Sequence, residues 1–293
     1  MRGLLRGIGG LLLAATLGAC ASLRRQPPSL LFLTDFGTKD GAVAVCKGVM
    51  WGLVPGLRIA DLTHESPRYD VEAAADLLHQ AVPYYPAGTV VVAVVDPGVG
   101  GRRKGLAART RKGHLLVGPD NGIFTAVLDE EGLERAVELR ETRFFRRGEL
   151  SRTFHGRDVF APVGAHLAAG TPLEALGPPL EPVRLELRYA RVEGGAIVGE
   201  VRYIEDPYGN VVTNAPAELL GSLGAAPGDS LEVELAGRSF PLPLRATFSD
   251  VPAGEPLALV HERGFLSFSI NQGDFAAAHG VRRGDPVRVR KKP

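Results

Sequence analysis

The run Val90–Val95 carries six apolar, mostly β-branched residues with no alternation, the pattern of a strand buried on both faces in a parallel sheet. Leu30–Leu33 and Leu57–Leu62 read as strands of the same kind. Between them Val43, Cys46, Val49, Met50 and Leu53 recur at helical spacing. Asp70 stands where a helix cap is expected, ahead of Val71, Ala74, Leu77, Leu78 and Val82. Further strands are expected at Leu106–Thr110, His114–Val117 and Ala136–Leu139. Thr153–Asp158 opens a helix through Val159, Phe160, Val163 and Leu167 that ends at Gly170. Strands alternating with helices predict an α/β domain with a mainly parallel sheet.

The pattern changes after the Pro-rich stretch Gly177–Pro182. Gly194–Ile204, Ser230–Leu235, Leu257–Val260, Phe265–Ile270 and Pro286–Val289 alternate or run apolar between turns, which predicts a smaller β-rich, barrel-like domain. The expected organisation is therefore an N-terminal α/β catalytic domain over 29–177, a linker over 178–186 and a C-terminal β-rich domain over 187–293.

The first residues have a different character. Arg2 and Arg6 precede a short apolar core over Ile8–Leu17, and Leu17-Gly18-Ala19 leads into Cys20. This resembles a bacterial lipoprotein signal over 1–20, with Cys20 lipidated and 21–28 as a tether. The apolar core is too short for a comfortable membrane span. The implied location is the cell envelope, on a lipid anchor; if no export signal operates, it is the cytoplasm. Cys46, the other cysteine, has no partner once Cys20 is modified, and its apolar helical face makes it a core residue. A formal net charge of +1 gives no nucleic-acid signal.

Candidate chemistry gathers where strands end. Asp96 follows the Val90 run and enters Pro97-Gly98-Val99-Gly100-Gly101, with Arg103 near enough to fold back and pair with it. Acids at the carboxyl ends of parallel strands border the ligand crevice of open α/β sheets. Asp35, after the first strand, and Asp40, before the next helix, stand in the same kind of place. A carboxylate there can take both hydroxyls of a ribose, while Asp40 can equally serve the helix N-terminus. Tyr69 is a candidate to pack flat on a ring. His155, beside a glycine at a helix start, becomes an acid–base candidate if Asp96 fixes its tautomer. His64 reads as structural, because no recognised metal-ligand spacing surrounds it.

Thr34-Asp35-Phe36-Gly37, the stretch Gly88–Arg103, Gly118-Pro119-Asp120-Asn121-Gly122 and Thr153–Asp158, in that order and spacing, resemble the S-adenosyl-L-methionine hydroxide adenosyltransferases, relatives of the fluorinating and chlorinating enzymes. The resemblance implies a homotrimer with active sites at subunit interfaces, and Asp96, Arg103 and His155 as a water-activating triad. It implies S-adenosyl-L-methionine as substrate, with no separate cofactor and no metal. Asp206-Pro207-Tyr208-Gly209-Asn210 matches the family's binding motif. By that match Asn210 reads the adenine, Tyr208 packs nearby, and Asp206, or Glu205 in an alternative alignment, takes the methionine ammonium. The implied reaction is hydrolysis to adenosine and methionine, since a carboxylate at position 96 repels a halide and the halogenating relatives carry an uncharged residue there. His261-Glu262-Arg263-Gly264 departs from the small polar pair usual before that glycine, and Arg263 is the residue able to offset Glu262 at the methionine end. A second reading stands beside hydrolysis: a membrane-anchored lipoprotein that binds adenosine-like ligands without turnover.

Overall fold

The computed structural model describes residues 29–292. The expected signal, Cys20 and the tether fall outside them. Among the described residues no helix is long and apolar enough to cross a membrane.

The N-terminal sheet has the order β2-β1-β3-β5-β4-β6, with strands β1 (Ser29–Thr34), β2 (Arg58–Thr63), β3 (Val90–Val94), β4 (Gly105–Thr110), β5 (Leu115–Pro119) and β6 (Leu133–Glu138). The first four in that order are parallel, and β4 and β6 add an antiparallel edge. Alternate residues of one strand serve opposite layers. Leu30, Phe32, Val90 and Val92 pack against Cys46 and Met50 of α1 (Ala42–Leu53) and against α4 (Ala161–Ala168). Leu31, Leu33, Val91 and Ala93 pack against Ala74 and Leu78 of α2 (Val71–Ala81) and Val127 of α3 (Thr125–Glu131). Two buried faces explain why these strands read as continuous apolar runs.

One expected helix has an irregular start. Gly156–Phe160 is a π-helical turn, and α4 follows it. Pro162 has no N–H to give to the carbonyl of Asp158, which instead accepts from the Arg146 N–H at 2.8 Å. The chain therefore widens its turn at this point.

The C-terminal sheet runs β11-β10-β14-β8-β9-β13-β12, with β7 (Arg191–Glu193) on β8. Its strands are β8 (Ala196–Glu205), β9 (Asn210–Pro216), β10 (Ser230–Leu235), β11 (Arg238–Pro243), β12 (Pro256–Val260), β13 (Phe265–Ile270) and β14 (Pro286–Lys291). A bridge between Leu244 and Ala258 brings the two ends of the order together, so the sheet is nearly a closed barrel. Its core holds Val211, Leu231, Leu266, Phe268 and Phe275. Asn210–Pro216 is a strand that was not among those expected. Its polar Asn210, Thr213 and Asn214 disguise an otherwise apolar segment.

The segment between the domains lies against the N-terminal one. Val183 N–H donates to Asp120 at 2.8 Å and Leu185 N–H to Thr125 at 2.9 Å. Half-buried Arg202 of β8 pairs with buried Asp76 of α2, one guanidinium N–H reaching it at 2.9 Å, and this pins the barrel to the α/β domain.

Candidate active site

A cavity of about 290 Å³ opens at the carboxyl ends of β1 and β3, lined among others by Asp35, Tyr69, Asp96, Thr153 and His155. This is the crevice position that strand-end acids mark in α/β sheets. Two loops meet beneath it. Gly100 sits at φ +74°, and a Cβ there would fall 2.2 Å from the Arg152 carbonyl oxygen, so only glycine lets the Asp96–Arg103 loop close on the loop before His155.

Behind the cavity wall Arg103 lies between Asp96 and His155. Its Nε donates to both Asp96 oxygens at 2.9 Å, and Nη2 completes the fork. Nη2 also lies 2.8 Å from His155 Nδ1. Guanidinium has donors only, so Nδ1 accepts and the imidazole proton sits on Nε2. Burial and then the Arg103 charge push the His155 pKa below its ordinary 6.5, against a smaller opposing pull from Asp96. The tautomer is therefore set by Arg103 and not by Asp96, because the seven-residue loop folds the guanidinium into the gap between them. Arg103 is steadied by the Phe160 ring, 5.1 Å below its carbon.

His155 owes its place to Asp158, whose side chain is fully buried in the wide turn. Asp158 accepts from Arg157 at 2.6 and 2.9 Å, from the Ser151 N–H at 2.7 Å and from Arg146. Burial works against its charge, yet these donors hold its pKa far below the usual carboxylate range.

Asp35 accepts the Tyr69 N–H at 3.0 Å. Tyr69 has φ 66°, a conformation unusual for a tyrosine, and the residue stands 71% exposed at the cavity mouth. Asp40 does not line this cavity. Its Oδ1 accepts from the Ala42 N–H at 2.9 Å on the exposed approach to α1, serving the helix start. His64 is buried elsewhere, 2.9 Å from the Thr34 hydroxyl and edge-on to Phe32.

A second cavity, of about 940 Å³, lies in the barrel domain and is lined among others by Glu205, Tyr208, Asn210, His261 and Glu262. The Asn210 amide donates to Glu205 at 2.9 Å. His261 Nδ1 accepts the Arg263 N–H at 3.2 Å, so Nε2 carries the proton toward Glu205, 3.0 Å away. That bond lowers the Glu205 pKa against the effect of burial, with Asn210 adding to it. Glu205 faces this cavity and Asp206 does not, because Glu205 pairs with Asn210 across the β8–β9 hairpin. Arg263 is also displaced from the role its sequence position suggested. Its guanidinium turns to the α/β domain and donates to the His79 carbonyl at 2.5 Å and Glu130 at 3.2 Å. Phe36, Arg68, Thr153 and Phe154 also line the first cavity without having been singled out in sequence; only their place beside Asp35, Tyr69 and His155 marks them.

The two cavities share no lining residue. One offers two carboxylates and a neutral imidazole backed by the Arg103 guanidinium; the other offers an amide, a paired glutamate and apolar walls. Together they define an enzyme for a small organic molecule, built from a parallel-sheet domain and a barrel. The N-terminal domain model of the SAM hydroxide adenosyltransferases matches residues 30–177 and the C-terminal domain model matches 199–288, and the chain belongs to this family. It is 41% identical over 266 residues to the (R)-S-adenosyl-L-methionine hydrolase of Thermus thermophilus, covering 88% of this chain and 98% of that protein. The enzyme of the same name from Salinispora tropica is 44% identical over 266 residues, covering 89% and 97%. The fluorinase of Actinopolyspora mzabensis is 32% identical over 290 residues, covering 89% and 97%. The crystal structure of an uncharacterized conserved protein from Thermotoga maritima superposes with a TM-score of 0.84 at 37% identity, covering 89% of this chain and 99% of that one.

Proposed function

We propose that the protein hydrolyses S-adenosyl-L-methionine to adenosine and L-methionine. Water attacks the ribose 5′ carbon in line with the sulfonium. The C–O bond forms as the C–S bond breaks, the bonding pair passes to sulfur, and methionine leaves as a neutral thioether that needs no protonation. As the new bond forms, the water oxygen becomes positively charged and acidic, so a carboxylate suffices as the base. Asp96 takes that proton, because the Nδ1 lone pair of His155 is already committed to Arg103. His155 orients the nucleophile through its Nε2–H, and Arg103 keeps Asp96 ionised and aimed.

The observation that carries this reading is the Asp96 carboxylate, forked by Arg103 at the edge of the crevice. It suits a neutral nucleophile and repels a halide. Asp35 takes the ribose hydroxyls and Tyr69 covers the sugar side. Asn210 reads the adenine with Tyr208 beside it, and Glu205 takes the methionine ammonium. Neither cavity has both sets of groups, which supports a homotrimer whose active site joins the α/β domain of one protomer to the barrel of the next. The residues around Cys20 support a lipid anchor in the cell envelope. Turnover in ¹⁸O-labelled water tests the reaction: label in the adenosine 5′ hydroxyl is expected, and unlabelled adenosine or no adenosine overturns it.

A further inference from the structure

Ser267 of β13 is 1% exposed, and its hydroxyl has no hydrogen-bond partner. A buried hydroxyl without a partner costs free energy unless something else satisfies it. The strand register says where this one points. Leu266 and Phe268 face the barrel core, so Ser267 faces the other way. Its neighbours across the ladders are Leu259 on β12 and Val212 on β9. Leu259 and Ser267 both line the 940 Å³ cavity. Asn210 stands two residues from Val212, on the same face of β9 and diagonal to Ser267, with about 7–8 Å between such positions.

Asn210 is oriented by its own bond. Its NH₂ donates to Glu205, which as a carboxylate can only accept, and this leaves the amide oxygen as the acceptor for a ligand. A hydroxyl that can donate, set diagonally from an oxygen that accepts, matches one edge of a 6-aminopurine. There an exocyclic N–H donor sits beside a ring nitrogen that accepts.

Resting on the hydrolase reading above, we propose that Ser267 is a substrate contact: its hydroxyl donates to a ring nitrogen flanking the amino group whose N–H the Asn210 oxygen accepts. The idle hydroxyl of the free protein is then a site held ready for the purine. Ser269, on the same face two residues on and by this register directly across from Asn210, is likewise buried and without a partner but does not line the cavity, so it is the control that separates contact with the cavity from nearness to Asn210.

The test is calorimetric titration of the full chain with adenosine, 1-deazaadenosine and 7-deazaadenosine, for the native protein, Ser267→Ala and Ser269→Ala. Removing one neutral hydrogen bond is expected to weaken adenosine binding about five- to tenfold in Ser267→Ala. One of the two deaza analogues should bind the native protein and Ser267→Ala equally, which identifies the nitrogen. Ser269→Ala should bind adenosine as the native protein does. Both alanine variants should melt at or above the native temperature, since each removes an unpaired buried hydroxyl. Equal adenosine affinity in Ser267→Ala and the native protein overturns the proposal, as does a Ser267→Ala melting temperature below the native one. Failure of the hydrolase reading looks different, because the native protein itself would then neither bind adenosine nor release it from the sulfonium.

Discussion

Arg103 Nη2 lies 2.8 Å from His155 Nδ1, so the imidazole of the crevice is held neutral by a guanidinium rather than charged by a carboxylate. Burial and the same guanidinium lower the His155 pKa below 6.5. The neutral form is the active one, so kcat/KM should fall only as pH drops through a value below 6.5. Arg103→Gln should move that acid limb upward. A pH profile of kcat/KM reads both, and an acid limb at or above 6.5 in the native enzyme would contradict the arrangement.

Asp96→Asn removes the proposed base while keeping the shape of the side chain. Loss of a positioned base costs about 10²- to 10⁴-fold in rate, so kcat should drop by that order. KM should change little, because the purine contacts lie in the barrel. Steady-state kinetics with adenosine detection checks this, and an unchanged kcat assigns the proton to another group.

Gly100→Ala should destabilise the fold as well as the site. The left-handed backbone alone costs a non-glycine residue about 1–2 kcal/mol, and the new Cβ meets the Arg152 carbonyl, which no rotamer change can move. The expected result is a lower melting temperature together with lower kcat; thermal melts beside kinetics separate the two effects.

Arg263→Ala discriminates between the place suggested by sequence and the one observed. Its guanidinium bonds His79 and Glu130, so the variant should lose about 1–3 kcal/mol of stability with KM nearly unchanged. A large rise in KM without loss of stability would return Arg263 to the substrate.

Cys20→Ser should shift the protein from the membrane to the soluble fraction of cells. Fractionation followed by immunoblotting reads the outcome, and undiminished membrane attachment would remove lipidation as the anchor.

Much of the α/β domain was legible because its physics is one-dimensional. Val90–Val94 and Leu30–Leu33 are buried on both faces and therefore apolar at every position. Asp96, Arg103 and His155 were legible through motif spacing, but the order in which they touch was not. That order depends on how a glycine-rich loop folds a long side chain back between two others. The barrel was harder. Asn210, Thr213 and Asn214 interrupt β9 with polar residues whose partners, such as the Leu266 carbonyl for Thr213, lie far off in sequence. The choice between Glu205 and Asp206 turns on hairpin register, and a one-residue slip exchanges the two faces of a strand. Arg263 was misplaced because a sequence shows that a cation is nearby and not toward which domain its long stem leans.

The wide turn at Gly156–Phe160 has a consequence for how this site tolerates change. A π turn holds one residue more than a regular helical turn, and in an α-helix one residue is worth about 100° of rotation about the axis. The bearing of the imidazole is thus set against α4 by a surplus residue, locked in by a proline seven positions downstream that never approaches the cavity. Removing Val159 from this segment would keep α4 and every motif letter, at the cost of one core side chain. The histidine would nonetheless be turned about a quarter of a circle from its target, leaving a fold with its chemistry out of phase.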